Sequence, residues 1–275
     1  MIAHDLHCHS TYSDGVLAPS AVVRRAALHG VDVLALTDHD ELQGLPEARE
    51  AAADEGIELV PGSELSVTWE GHTIHVVALR IDPENETLTE GLAAIRAGRD
   101  ARAEKIADAL RDAGIPGALE GARRYVTSDR LISRTHFARF LADTGHVRDV
   151  HDAFKRYLVA GKPGYVAHSW ATLSQALGWI ATAGGQAVLA HPGRYSVSRK
   201  DMRRLLEEFR DNGGAAIEIL SPSHTAAQST EYARYARVFG LKGSCGSDFH
   251  APDESCDFGD LPPLPVGVEP VWSTW

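Results

Sequence analysis

The chain is poor in cysteine, with three in 275 residues at Cys8, Cys245 and Cys256. Three thiols so dispersed build no disulfide framework, and their spacing fits no zinc knuckle. No apolar run approaches the roughly 20 residues needed to cross a bilayer. The opening, MIAHDLHCHS, lacks a basic stretch followed by an apolar one, so it does not read as a secretory signal. The expectation is a cytoplasmic protein with no membrane partner. Positive charge is also scarce: 27 Lys and Arg against 38 Asp and Glu leave a net charge of −11. That balance excludes a protein gripping duplex DNA through a broad basic face. It leaves room for a small anionic ligand, because bound cations reverse the field locally. Internal repeats and low-complexity segments are missing too.

What is present reads as a folded α/β domain. Hydrophobic residues make up 44% and charged residues 24%, ordinary for a globular protein. The length suits one large domain, or a domain carrying an insert. Apolar runs at 3–9, 31–37, 57–61 leading into Glu64, 73–81, 186–190, 215–220 and 241–244 predict seven strands. Their near-continuous hydrophobicity fits parallel strands covered on both faces. Helical patterns fall at 19–28, 44–55, 173–183, 200–211 and 226–239, with Gly30, Gly56, Gly184 and Gly240 where helices should stop. Alternating strands and helices predict right-handed βα units, and seven of them predict a closed or nearly closed barrel. Residues 99–165 break the rhythm with Arg-rich helical stretches and no strand. The expected organisation is a barrel from 1–98 and 166–275, with 99–165 as a helical insert over its mouth. The Pro-rich stretch 261–266 reads as an irregular tail packed on the body.

Histidine is over-represented at 14 residues, and its placement is more informative than its number. His7 and His9 are two apart on a strand, so both imidazoles point to one side. His39 closes the second strand in Thr37-Asp38-His39. Glu64 follows the third strand, His75 lies on the fourth, and His191 ends the Ala-Val-Leu-Ala strand. Asp248 and His250 follow the last, and Asp14 sits in the loop Ser13-Asp14-Gly15. In a parallel barrel the carboxyl ends of the strands meet at one face, where active sites are built.

Six segments in order, HxHSxxSDG, TDH, GSELS, IHVVAL, AHPGR and GSDFH, resemble the polymerase-and-histidinol-phosphatase (PHP) superfamily, from His7 to His250. Within it the chain is most similar to bacterial phosphoesterases acting on nucleoside 3′,5′-bisphosphates and short RNA. The resemblance implies a distorted (β/α)7 barrel and two to three divalent ions. His7, His9, Glu64 and Asp248 would hold one ion. Glu64 would bridge to a second, completed by His75 and His191. Asp14, His39 and His250 would hold a third. A metal-bridging hydroxide would be the nucleophile, with His39, Asp248 and His250 at the reacting centre. Imidazole-plus-carboxylate sites suit manganese, iron or zinc, with magnesium less natural.

Arg134 and His136, in Ser-Arg-Thr-His, resemble the family's phosphate-contacting pair. Lys162, Arg194, Ser223 and His224 are further candidates for substrate phosphate. Asp38 should point away from its ligand neighbours and support them. Cys8 and Cys245 read as core. Trp69, Trp170 and Trp179 also read as core rather than as platforms for a base. The expected activity is a phosphatase removing the 3′-phosphate of nucleoside 3′,5′-bisphosphates, with trimming of short RNA as a close variant. The alternatives are a phosphatase of a small metabolite such as histidinol phosphate, a metal-stabilised module without turnover, and an amidohydrolase.

Overall fold

The computed structural model describes residues 2–126, 131–252 and 256–275. Seven strands form the barrel path in the order β1 (His4–Asp5), β2 (Val33–Leu36), β3 (Glu58–Trp69), β4 (His72–Leu79), β6 (Gln186–Leu189), β7 (Ala216–Leu220) and β8 (Lys242–Cys245). A short β5 (Ala171–Thr172) pairs alongside the far end of β3. The path closes on itself: Leu6 N–H donates to the Cys245 carbonyl at 3.0 Å and His9 N–H to the Phe249 carbonyl at 2.8 Å. The fold is therefore a distorted, nearly closed barrel.

The side-chain period of two sorts each strand into an inner and an outer face. Val33 and Ala35 of β2 face the barrel interior with Leu6, Val60, Val77, Leu79 and Val188, and Val271 plugs one end. Leu34 and Leu36 face outward, packing on α1 (Pro19–Leu28) and α2 (Leu45–Glu55). The outer faces of β3, β4, β6 and β7 pack on α7 (Leu173–Thr182), α8 (Arg199–Asp211) and α9 (Ala226–Phe239).

Two features depart from what the sequence predicts. First, β4 runs antiparallel to both β3 and β6. Its link to β3 is a two-residue turn, Glu70-Gly71, with both φ values positive at 47° and 81°. Such a turn joins a hairpin and leaves no chain for a crossover helix. The N-terminal half of β4, with His75, thus reaches the mouth where the parallel strands end. Second, the helix expected from residue 99 begins earlier. α3 spans Glu86–Asp112, with the Asn85 side chain accepting from Leu88 N–H as its cap. Leu88 and Leu92 pack in the barrel's outer core, while Ala103, Ile106 and Leu110 belong to a separate cluster. That cluster includes α4 (Ala118–Arg123), α5 (Arg134–Asp143) and α6 (Val150–Ala153), so α3 spans both.

Candidate metal centre

The backbone at the mouth is built for close approach. A Cβ on Gly246 would lie 2.2 Å from the His7 Cβ, and one on Gly15 would lie 2.4 Å from the His9 carbonyl oxygen. Only glycine lets the end of β8 and the first loop press against the His7–His9 segment. Asp248 and His191 both have positive φ, 49° and 25°. Non-glycine residues held there store strain of order 1–3 kcal/mol each, a cost found where a side chain must be aimed.

Nine side chains converge at this mouth. Glu64 stands at the centre, fully buried. Its Oε1 lies 2.8 Å from His75 Nδ1 and 2.9 Å from His191 Nε2. Its Oε2 lies 2.9 Å from His39 Nδ1, 3.3 Å from His7 Nε2 and 3.4 Å from His9 Nε2. Asp248 Oδ1 lies 3.5 Å from His7 Nε2, 3.3 Å from His9 Nε2 and 3.6 Å from His250 Nδ1. Asp14 Oδ1 is 3.2 Å from His250 Nε2 and 3.7 Å from His39 Nε2. The structure thus brings together all nine side chains that the sequence singles out as ligands. They fall into overlapping groups: His7, His9 and Asp248; His7, Glu64 and His191; His39, Glu64 and His75; and His9, Asp14, His39 and His250.

The donors fit divalent cations. Asp14 Oδ1, Glu64 Oε2, Asp248 Oδ1 and His39 Nδ1 are buried without a well-aligned hydrogen bond. Yet His39 Nδ1 and Glu64 Oε2 are only 2.9 Å apart. The donor atoms of each group all lie within 4.8 Å of one another, as a shared ion requires. Two donors each about 2.0–2.2 Å from one ion are separated by about 3.0–3.5 Å, and the spacings here run from 2.8 to 3.7 Å. The cluster binds divalent metal.

Charge sharing within the cation-free cluster is uneven. Burial disfavours the ionised form of Glu64, but His75, His39 and His7 outweigh it and hold the carboxyl well below its usual range. Burial also opposes charge on His250, yet Asp14 and Asp248 raise it to about 9. Burial, then His250 and His39, push His9 down to about 3. Cations entering the cage must displace the protons that the imidazoles hold.

A ring of supporting residues aims the ligands. Asp38, as expected, points away and accepts from Ser10 N–H at 2.7 Å, Ser10 Oγ at 2.6 Å and Ser13 Oγ at 2.6 Å. Glu218 is the residue that sequence reasoning missed. Its Oε1 is 2.7 Å from His7 Nδ1, and its Oε2 accepts the His191 backbone N–H at 2.5 Å. The signal was available: Glu218 interrupts an apolar strand and shares its inward face with Ala216. Tyr195 Oη donates to the Ala190 carbonyl at 2.7 Å and accepts from His75 N–H at 2.9 Å, tying β4 to β6.

The phosphate candidates are placed unevenly. Ser133 caps α5 and donates from Oγ to Asp14 Oδ2 at 3.0 Å, so Arg134 and His136 start their helix against the cluster. His136 Nδ1 accepts from Ser133 N–H at 3.0 Å, which leaves the proton on Nε2, buried and without a partner. Burial lowers His136 to about 4, so the ring is neutral. Arg194 Nη2 reaches Asp248 Oδ2 at 2.5 Å. Lys162 is exposed in the turn after Val159. Ser223 Oγ is 3.1 Å from Ser221 Oγ. His224 braces the turn after His191: Nδ1 is 3.0 Å from the Ile219 carbonyl and Nε2 accepts from Gly193 N–H at 3.2 Å.

A buried cage of imidazoles and carboxylates at the mouth of an α/β barrel defines a hydrolytic metal centre. The PHP domain matches residues 5–221, and the chain belongs to that family. It is 49% identical over 269 residues to a 3′,5′-nucleoside bisphosphate phosphatase from Chromobacterium violaceum, covering 98% of this chain and 94% of that protein. It is 44% identical over 276 residues to the 5′-3′ exoribonuclease Rnm of Salmonella typhimurium, covering 100% and 94%. A solved structure described as an amidohydrolase from Chromobacterium violaceum, with bound sulfate and no metal, matches with a TM-score of 0.95 at 49% identity, covering 98% and 94% of the two chains. The chain is a metal-dependent hydrolase of phosphoester bonds. Among the described residues no helix is long and apolar enough to cross a membrane.

Proposed function

We propose that the chain removes the 3′-phosphate from nucleoside 3′,5′-bisphosphates, leaving 5′-monophosphates, and trims 5′-terminal nucleotides from short RNA at the same site. One observation carries this reading. The helix bearing Arg134 and His136 is capped by Ser133, whose hydroxyl bonds Asp14 of the metal cluster. Donors suited to phosphate therefore stand directly beside the ligands. The names of the two relatives described above supply the substrate class.

In this reading His7, His9, Glu64 and Asp248 would hold one ion, Glu64 with His75 and His191 would hold a second, and Asp14, His39 and His250 would hold a third. Manganese, iron or zinc suits the donor set. The bound ions supply Lewis acidity toward phosphoryl oxygen and lower the pKa of water to roughly 7. The chain's own residues do the rest. Glu218 fixes the His7 ring with Nε2 facing the cage. Arg134 and the buried Nε2–H of His136 grip phosphoryl oxygens. Arg194, now on Asp248, swings to the incoming anion. Helices between 99 and 165 wall the site from water. Divalent ions would outweigh the carboxylates of Asp14, Glu64 and Asp248 and would draw phosphate into an acidic protein.

The test is phosphate release by metal-loaded protein from adenosine 3′,5′-bisphosphate and histidinol phosphate. The expected outcome is at least about a hundredfold higher kcat/KM on the bisphosphate. A reversed order sinks the nucleotide reading.

A further inference from the structure

Tyr195 stands in a gap that the β4–β6 ladder leaves at the mouth. Val76 faces Leu189 across this antiparallel pair, so the next residues toward the mouth, His75 and Ala190, face each other. Ala190 N–H donates to the His75 carbonyl at 3.1 Å. In such a pair the two residues normally exchange both N–H···O bonds. Here the second is replaced. His75 N–H donates at 2.9 Å to Tyr195 Oη, and Oη donates at 2.7 Å to the Ala190 carbonyl. A phenol hydroxyl thus occupies the ladder, with two hydrogen bonds in series where one would otherwise reach across.

Chain direction says where the insertion falls. The His75 nitrogen lies on the Ile74 side of its residue, and the Ala190 carbonyl on the His191 side. The bridged bond is therefore the one nearer the mouth, and the direct bond the one farther inside. The hydroxyl acts as a wedge, parting the strands just where His75 and His191 emerge. The local chain makes this possible. Pro192–Arg194 form a single 3-10 turn, which folds Tyr195 back on the strand it follows and sets its ring at 69° to His191, with centres 5.8 Å apart. The two imidazoles beside the wedge flank Glu64 Oε1 at 2.8 and 2.9 Å, with ring centres 5.2 Å apart. Without the hydroxyl, the His75 amide and the Ala190 carbonyl either close on each other, drawing the rings together, or take up a water that holds the gap less firmly.

We propose that Tyr195 is a positioning residue for the ion of His75, His191 and Glu64: its hydroxyl keeps β4 and β6 apart at the mouth and so sets the separation of the two imidazoles. This rests on the reading above in which those three residues share one ion. The Tyr195 proton is committed to the Ala190 carbonyl and a lone pair to His75 N–H, so the residue acts through the backbone and not as a ligand.

Tyr195→Phe keeps the ring and removes only the oxygen. Stripped wild type and variant are titrated with manganese in a calorimeter, and bound metal is counted by elemental analysis. One ion should bind about 10- to 100-fold more weakly in the variant, the range for losing a group that orients a ligand, while the others stay within about threefold. His75→Ala removes the same ion directly. Adding Tyr195→Phe to it should change metal binding no further, whereas a general packing role predicts additive losses. Unchanged affinity for every ion overturns the proposal, as does an equal loss at all of them or an additive loss in the double variant. Amide exchange in the unaltered, metal-loaded chain needs no substitution: His75 N–H should be as protected as its β4 neighbours, and free exchange there overturns the wedge. His75→Ala combined with His191→Ala tests the reading beneath, and together they should cost one ion. If they cost two, the shared-ion assignment falls, and a loss in Tyr195→Phe that vanishes in the His75→Ala background still upholds the role of the hydroxyl. If they cost one and Tyr195→Phe binds metal as the wild type does, the assignment stands and the wedge falls.

Discussion

Glu218→Gln is the sharpest test of how the cage is held. Glu218 is 1% exposed, and both of its oxygens are committed. Oε1 faces His7 Nδ1 at 2.7 Å and Oε2 the His191 backbone N–H at 2.5 Å. With Nε2 of His7 turned toward the ions, its Nδ1 carries the proton, so both partners are donors. An amide has one accepting end and one donating end. Glutamine therefore satisfies one partner and sets N–H against N–H at the other. Losing a charge-assisted hydrogen bond of this kind costs about 1.5–3 kcal/mol, which is about 10- to 150-fold in an equilibrium. Because the bonded groups belong to two ligand residues, the loss should fall on metal affinity, where such partners contribute about 10- to 100-fold. The assay is competition of stripped wild-type and variant protein against a chromophoric chelator with manganese or zinc, followed by kcat/KM at saturating metal. Affinity should drop about 10- to 100-fold, and high metal should restore part of the activity. Metal affinity within about twofold of wild type, with a lowered melting temperature, would show that Glu218 serves only the fold.

Three further outcomes follow from the same geometry. His9→Ala and Asp248→Ala should each lower kcat/KM by about 10³-fold or more and reduce bound metal, measured by elemental analysis; near-wild-type turnover refutes their ligand roles. Metal uptake by stripped protein should tighten from pH 6 to about 9 and level off above. In the cation-free cluster His250 is held near 9 and must lose its proton to ligate, and calorimetry in two buffers of different ionisation heat should register the release. Asp40→Asn should lower stability by about 3–5 kcal/mol in urea titration, because it leaves the 6%-exposed Arg99 unpaired. Adding Arg99→Met should recover much of that loss.

Strands and most helices were legible because burial on both faces imposes continuous apolar runs and helices need caps. The run at 226–239 coincides with α9, down to the glycine that ends it. The direction of β4 was harder to read. Glu70-Gly71 is a hairpin turn, but its flanking strands are as apolar as parallel ones, so hydrophobicity alone does not tell direction. The onset of α3 was obscured because its barrel half, Leu88 and Leu92, and its insert half, Arg99 to Leu110, face different cores. The nine converging side chains were legible because strand ends share one mouth. His224 and Glu218 were not, because their roles depend on distances of about 3 Å between strands, and no spacing along the chain encodes those.

Arg99 and Asp40 tie α3 to the mouth of the barrel. Asp40 follows the cage residue His39 with φ at 51°. Its carboxylate accepts from Ser66 N–H at 2.7 Å on β3 and is paired with Arg99 on α3. Arg96 Nη1 adds a bond to the Asp40 carbonyl at 2.6 Å. Arg99 in turn lies over Trp170, whose ring also neighbours Arg102. A single run of contacts passes from His39 to Trp170. The contact therefore holds α3 to the strand end that carries His39, and any motion of α3 is coupled to the cage.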